Sequence, residues 1–473
     1  MSGKIKIYPV YREITADVET PVSAFLALKK PGAKGFLLES VEMGEKLGRY
    51  SFLGFEPELE FTAKKNRVRI VFRGNVEEFT SENPALELKK IVDRFEEDTH
   101  DELPPFNAGL VGYFSYDSIR FYEKIPDTKP DRLNLPDIYM LFPKILIAFD
   151  HIKQKMILMA PAFSDENHDR ASKLISEYEG ILSTAKTPNR VMFSNEGKIN
   201  LSSNFKKENY LKAVEKAKDY IIAGDIFQVV LSQRLSMKTD VPPFDIYRKL
   251  RMINPSPYMI YIDLDQFQIV GSSPEVMVKR IKTVDKDEVL ERPIAGTRPR
   301  GKNVIEDNEI EKELLADGKE LAEHTMLLDL SRNDIGRIAE YGSVKVSNMF
   351  HIERYSHVMH IVSDVTGKPA ENTHVLDIIS ATFPAGTVSG SPKVRAMEII
   401  DELEPERRGI YAGAIGYIDF RGNLDTCIAI RTLICKDKTV YLQAGAGIVY
   451  DSVPEREYEE TINKARALMK ALL

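Results

Sequence analysis

Tryptophan is missing from the chain altogether, and cysteine occurs only twice, as Cys427 and Cys435. Two thiols cannot build a disulfide framework, and their spacing is not that of a zinc site, so a reducing, cytoplasmic compartment is expected. A long basic run is also missing. Lys and Arg number 65 against 72 Asp and Glu, for a net charge of -7, which argues against nucleic acid or an anionic membrane surface as partner. Residues 1–7 lack the apolar core of an export signal. The most apolar stretch, residues 139–149, is short and broken by Pro143-Lys144, so neither export nor a membrane span is expected. Any small anion would have to be held locally.

What is present is enough apolar surface for a large core: 43% of the 473 residues are hydrophobic and 29% charged, which fits two or three domain-sized units. Residues 1–160 alternate strands with turns, at 35–40, 49–54, 67–72 before the turn Arg73-Gly74-Asn75, and 144–149, with one helix over 84–95. The segment 161–204 is polar, helical near 170–182 and rich in Ser, Thr, Asn and Gly around 194–203, and reads as a boundary. In residues 205–473 the pattern predicts helices over 207–223, 243–253, 305–330, 392–402 and 454–473. Strands are expected at 258–263, 267–271, 413–419 and 426–434. This mixed order, without a repeat, predicts an α+β fold with antiparallel sheets.

Several stretches carry chemistry-bearing residues. Arg292-Pro293-Ile294-Ala295-Gly296-Thr297-Arg298-Pro299-Arg300-Gly301 reads as a stiff loop in which Gly296 lets main chain lie against a ligand. On the helix predicted over 305–330, Glu313, Glu320 and Glu323 share nearly one face. Near the C-terminus, Ser452-Val453-Pro454-Glu455 reads as a capping-box start, after which Glu457 and Glu460 share a face with Lys464. Two such faces could hold Mg²⁺, although the same spacing suits solvated acidic faces. Gly386-Thr387-Val388-Ser389-Gly390-Ser391-Pro392-Lys393 leads into a helix with Ser391 expected as its cap, and Gly445-Ala446-Gly447 reads as a glycine-rich cradle for a carboxylate or as a tight turn. His360 sits among β-branched residues. Arg431, expected inside an apolar strand, needs an anionic partner to offset its desolvation.

Taken together, residues 292–301, 320–334, 383–393, 408–413 and 443–449 resemble the chorismate-utilising enzymes, and among them the anthranilate-forming branch. The resemblance is dense from Lys207 to Lys464 and thinner before it. It implies antiparallel sheets packed as a sandwich with helices outside, the N- and C-terminal parts sharing one structure. It also implies a Mg²⁺-dependent conversion of chorismate and ammonia to anthranilate and pyruvate. Position by position, Glu323 and Glu460 match metal ligands, with Glu320 and Glu457 as their neighbours. Gly296, Thr297, Tyr411, Arg431, Gly445, Ala446, Gly447 and Lys464 match the residues that hold the substrate. Glu275, in Gly271-Ser272-Ser273-Pro274-Glu275, matches a general acid that must stay protonated. His360 matches the residue that assists loss of pyruvate, and Thr387 and Gln228 complete the catalytic set.

Two positions separate the branches of the family. Isochorismate and salicylate synthases carry a lysine base where this chain has Gln228, and glutamine cannot take a proton. Aminodeoxychorismate synthases commonly carry a nucleophilic lysine where this chain has Ala295. An aminodeoxychorismate-forming enzyme is the alternative reading, and a ligand sensor without catalysis a more distant one. Neither cysteine lies in a nucleophile context, so a separate glutamine amidotransferase subunit is expected to supply ammonia, making the assembly a hetero-oligomer. Leu38, Glu39 and Ser40, with Pro257, Tyr258 and Met259, match a tryptophan feedback pocket in a regulatory part formed by residues 1–160. An enzyme of tryptophan synthesis that contains no tryptophan could be translated when that amino acid is scarce.

Overall fold

The computed structural model describes residues 4–40, 48–98, 102–164, 169–185, 191, 201–355 and 358–472. Most of the polar stretch 194–203, and Leu473 at the predicted helix end, lie outside them.

With strands numbered in chain order, one layer runs β5 (Asn75–Thr80), β4 (Arg67–Phe72), β3 (Tyr50–Lys64), β8 (Ile138–Asp150), β7 (Gly109–Phe114), β20 (Ala414–Asp419), β21 (Leu424–Ile428), β14 (Val276–Lys282), β15 (Asp287–Glu291) and β18 (Val358–Gly367). β16 (Ile294–Pro299) pairs with β18 on the same side as β15, and β17 (Lys345–Arg354) lies on its other side. The other layer runs β6 (Phe95–Glu97), β1 (Ile5–Thr15), β9 (Lys155–Phe163), β8, β3, β2 (Gly35–Glu39), β12 (Tyr258–Asp263), β13 (Gln268–Ser273), β22 (Thr432–Lys436), β23 (Thr439–Ile448) and β11 (Gln228–Lys238). The far edge of β11 takes β10 (Ser202–Ser203) and β19 (Gly390–Ser391). Every pairing is antiparallel except β1 with β6. Strands from both sides of residues 161–204 pair directly, β2 with β12 and β7 with β20, so the two parts of the chain share one structure.

Two crossings join the layers. At the first, β3 and β8 belong to both, bending where the register slips between Pro57 and Leu59 opposite Pro143. At the second, β13 passes into β14 through Pro274-Glu275 while β21 passes into β22 through Ala429-Ile430-Arg431. Strand alternation fills three apolar layers. Phe36, Val111, Tyr113, Ile260, Ile262, Ile415 and Ile434 interlock between the sheets. Met259, Tyr261 and Leu433 face out toward α1 (Pro21–Leu28), α3 (Asp169–Ser183), α5 (Pro243–Ile253) and α10 (Pro454–Met469). Leu110, Phe114 and Ile418 face α2 (Pro84–Asp93), α4 (Lys207–Ile222), α8 (Val375–Thr382) and α9 (Lys393–Leu403).

Several expectations are corrected. The first 160 residues hold α1 as well as α2. α1 is almost wholly apolar and so shows no helical stripe, but a reciprocal Thr20–Ser23 cap and Pro21 start it. The predicted helix over 305–330 is two, α6 (Val304–Ala316) and α7 (Gly318–Gly336). Asp317 closes the first and caps the second by accepting from the Lys319 and Glu320 amides. The predicted strand over 426–434 is broken at Arg431, which takes a left-handed φ of 49°. Ser391 is not a helix cap: it lies in β19, pairs with Gln228, and leaves Pro392 to begin α9. Val453, with no side-chain cap bond, begins α10, while the Ser452 hydroxyl accepts from the Val449 amide.

The central strands approach so closely that a Cβ on Gly112 would lie 1.9 Å from the Tyr139 carbonyl. Gly112→Ala is expected to cost about 3 kcal/mol by forcing β7 from β8, measured by denaturant unfolding; an unchanged midpoint would contradict this packing.

Candidate active site

The second crossing places two charged groups inside the protein. Glu275 is 7% exposed, and burial pushes its carboxyl up to about 8, against the opposing pull of the Thr387 hydroxyl, the Ile294 amide and the Arg431 charge. The backbone is pinned there, as the Ile428 amide donates to the Glu275 carbonyl at 3.0 Å and the Ser273 hydroxyl to the Ile428 carbonyl at 2.7 Å. Arg431 is reached by the left-handed turn between β21 and β22, and burial lowers its pKa. Among the described residues no carboxylate forms an ion pair with it. An arginine so placed is a receptor for an anion.

The motif at 292–301 forms strand β16 with a glycine bulge, where a loop was expected. Pairing with β18 slips between Ala295 and Thr297, leaving Gly296 unpaired at φ 62°. A Cβ there would come within 3.1–3.3 Å of Leu314, Ile361 and Glu320. The bulge aims the Gly296 carbonyl at His360 Nδ1, 3.1 Å away, with the Thr297 hydroxyl at 3.0 Å. Because a carbonyl only accepts, Nδ1 carries the hydrogen and Nε2 keeps its lone pair. Burial lowers the His360 pKa, favouring this neutral form.

On β23, which pairs directly with β11, glycines keep one face clear of side chains. Gly447 faces Gln228 so closely that a Cβ would sit 2.4 Å from the amide nitrogen, and one on Gly445 would sit 2.8 Å from the Tyr411 hydroxyl. Ala446, between them, is fully buried in the core. Gln228 Nε2 donates to Glu323 at 3.5 Å. Lys464 donates to the Gly445 carbonyl at 3.0 Å and pairs with Glu460 at 2.7 Å. The charges of Lys319 and Lys464 act on both Glu323 and Glu457, so the acidic faces of α7 and α10 look toward each other. Glu313, expected on the same face as Glu320 and Glu323, stands on α6, and Arg298 clamps it together with Asp317 and Glu320. Burial, then the Glu320 charge, raises the Glu323 carboxyl. Among the described residues no three acidic, histidine or cysteine groups converge on one point. An ion here would have two protein carboxylates, Glu323 and Glu460, and would take its other ligands from water and substrate, which suits Mg²⁺.

A separate cavity of about 300 Å³ lies where β2 meets β12. Leu38, Glu39, Ser40, Pro257, Tyr258 and Met259 all line it, with Tyr50, Phe52 and Tyr417 adding aromatic wall. Glu39 is already held from behind by the Tyr247 hydroxyl at 2.5 Å and Arg251 at 3.0 Å. Among the described residues the buried Ser40 hydroxyl has no hydrogen-bond partner. Asp425, which sequence reasoning missed, reaches the same cavity, where it accepts from the Tyr258 hydroxyl at 2.8 Å and pairs with Lys279 at 2.7 Å.

Residues 36–470 match the family model described as chorismate binding enzyme. The chain belongs to the chorismate-binding enzyme family. Among similar proteins, anthranilate synthase component 1 of Aquifex aeolicus is 49% identical over 477 residues, covering 100% of this chain and 96% of the relative. Its Thermus thermophilus counterpart is 47% identical, covering 99% and 98%. The crystal structure of anthranilate synthase component I from Streptococcus pneumoniae superposes with a TM-score of 0.81 at 37% identity, over 96% of this chain and 98% of that one. The menaquinone-specific isochorismate synthase of Escherichia coli, at 19% identity, 100% and 97% coverage and a TM-score of 0.73, shares the fold.

Within this chorismate-binding enzyme, sequence reasoning missed Glu291, Asp334 and Lys393, which lie behind Glu275. Asp334 and Lys393 stand inside motifs already singled out, and Glu291 directly precedes the motif at 292–301.

The raised Glu275 pKa has a consequence for stability. The stability this carboxyl contributes is fully present below its unfolded value near 4.5 and is lost as pH rises to about 8. Between pH 5 and 8.5, wild type should lose on the order of 3 to 5 kcal/mol relative to Glu275→Gln in denaturant unfolding. A difference that stays constant with pH would place Glu275 in contact with bulk solvent.

Proposed function

We propose that the protein converts chorismate and ammonia to anthranilate and pyruvate, the entry step of tryptophan synthesis, in the cytoplasm. The observation that carries this reading is the pair at the crossing: a carboxyl kept protonated by burial next to an arginine without a carboxylate partner. Glu275 gives its proton to the departing ring hydroxyl while nitrogen adds to the ring, and Arg431 holds a substrate carboxylate in place of water. Amides of the Gly445–Gly447 segment and the Lys464 ammonium, together with Tyr411, Gly296 and Thr297, hold the rest of the dianion. His360, neutral with Nε2 free, takes the ring proton as pyruvate leaves. Thr387 orients the Glu275 carboxyl.

Glu323 and Glu460 would hold Mg²⁺, with Glu320 and Glu457 adding negative potential, and the ion would polarise and orient a substrate carboxylate when bound. Gln228, spanning to Glu323, positions that ligand and cannot serve as a base. Ala295 offers no nucleophile. Burial pushes both thiols, Cys427 and Cys435, up to about 12, far from the reactive thiolate that glutamine hydrolysis needs. Ammonia therefore comes from a glutamine amidotransferase subunit in a hetero-oligomer, with free ammonium as its substitute. Among the described residues no helix is long and apolar enough to cross a membrane.

The cavity beside β2 binds tryptophan as a feedback inhibitor, placing a regulatory function in residues 1–160, joined by 161–204 to the catalytic part at 205–473. Aromatic walls suit the indole, and the unpartnered Ser40 hydroxyl suits its polar end. Glu39, engaged by Arg251 and Tyr247, and Asp425, engaged by Lys279 and Tyr258, are the carboxylates that border the place for the amino group.

Purified protein mixed with chorismate, Mg²⁺ and ammonium should give fluorescent anthranilate with one pyruvate each. Glu323→Gln should lower kcat/KM by roughly a hundredfold or more, and chelation of Mg²⁺ should abolish turnover. Intact chorismate, or an aminated product that keeps its enolpyruvyl group, would overturn the reading. Ser40→Phe should raise the tryptophan concentration for half-inhibition at least tenfold with kcat unchanged, whereas full inhibition at the wild-type concentration would remove the cavity from regulation.

A further inference from the structure

Behind Glu275, on the side where β15 and α7 pack against the segment leading to β19, lies a crevice with room for about 20 Å³ of water-centre volume. That is enough for one water molecule. Glu275, Glu291, Ser331, Asp334 and Thr387 line it. Among the described residues, two buried polar atoms without a hydrogen-bond partner belong to this lining: Glu291 Oε1 and Asp334 Oδ1. Glu291 is 7% exposed and Asp334 2%. Orphaned polar atoms converging on one small space are the signature of a bound water, since each left dry costs free energy that a bridging molecule restores.

We infer that this crevice is a buried water site through which Glu291 returns a proton to Glu275 after each turnover. The inference rests on the role proposed for Glu275 and adds the group that recharges it. The charges around Glu291 support the direction of transfer. Lys393, on α9, pairs with Asp334 of α7 at 2.6 Å and also donates to the Thr382 carbonyl at 2.9 Å. Burial pushes the Asp334 carboxyl up and the Lys393 ammonium opposes that push, while burial together with the Asp334 charge pushes Glu291 well above the usual carboxylate range, so Glu291 holds a proton. Arg292, the next residue, is turned away into Glu353 and Asp364. The balance closes: Glu275 gives its proton to the leaving hydroxyl, which departs as water. The attacking ammonia sheds one proton to solvent as it becomes an amine. The crevice water then protonates Glu275 and takes the Glu291 proton, and Glu291 is reprotonated from solvent. Glu291 is thus a positioning and relay residue that never touches substrate.

The test is Glu291→Gln, which keeps shape and polarity but has no proton to pass. We expect kcat to fall roughly tenfold or more with KM for chorismate within about twofold of wild type, a larger solvent deuterium isotope effect on kcat, and partial rescue by added formate. Glu291→Asp should retain most of the rate. A wild-type crystal structure should show one water bonded to Glu275, Glu291 and Asp334, and this decides the site if the Gln variant does not fold. An empty crevice, or a Gln variant with unchanged kcat and isotope effect, would overturn the inference. Wild type that makes no anthranilate would sink the proposed function instead, and with it the relay.

Discussion

A carboxyl group that folding keeps away from bulk water underlies the chemistry proposed for this protein. Glu275 sits where the chain passes from one sheet to the other, in a place too crowded to hydrate an anion, so its charged form is disfavoured by burial and only partly rescued by Arg431. A carboxylic acid that stays protonated near neutral pH is an acid catalyst in waiting. The arrangement depends on both crossing segments, because Arg431 reaches Glu275 only through its left-handed turn, and Glu275 is anchored by the Ile428 amide of the neighbouring strand. The large core between and outside the sheets supplies the rigidity that keeps this unfavourable group in position.

The same crossing brings the aromatic cavity close to the proposed active site. Strand β21 carries Asp425 at the aromatic cavity and leads within six residues to Arg431, while β12, which lines that cavity through Tyr258 and Met259, pairs with β13 just before Glu275. An inhibitor bound in the cavity, as proposed, would act on strands that end at Glu275 and Arg431. The glycine-lined face of β23 and the acidic faces of α7 and α10 collect the groups that suit a dianion and a hard cation.

The sequence was readable where one local rule decides the outcome. The β-rich run at 258–263, the proline start of α5 and the apolar strand at 144–149 all correspond to elements that local sequence decides. Family motifs placed Glu275, His360, Gln228 and the glycines in one region of the fold. It was less readable where tertiary structure overrides local pattern. Arg431 looked like a strand residue because its neighbours are apolar on both sides, yet the strand must break there to change sheets. Asp317 split one expected helix because a single side chain caps the second helix as the first ends. Gly296 signalled close approach, but only pairing with β18 turned that into a bulge that sets the tautomer of His360. The carboxylates behind Glu275 escaped notice because their importance lies in what surrounds them.

The central claim, that burial at the crossing holds Glu275 as an acid, is tested most directly by titrating that one carboxyl. Carbon-13 NMR of wild type labelled at glutamate side chains, with Glu275→Gln identifying the resonance, should show a protonated carboxyl at pH 7 that titrates near 8. A carboxyl already ionised at pH 5, in the ordinary range for glutamate, would contradict the account.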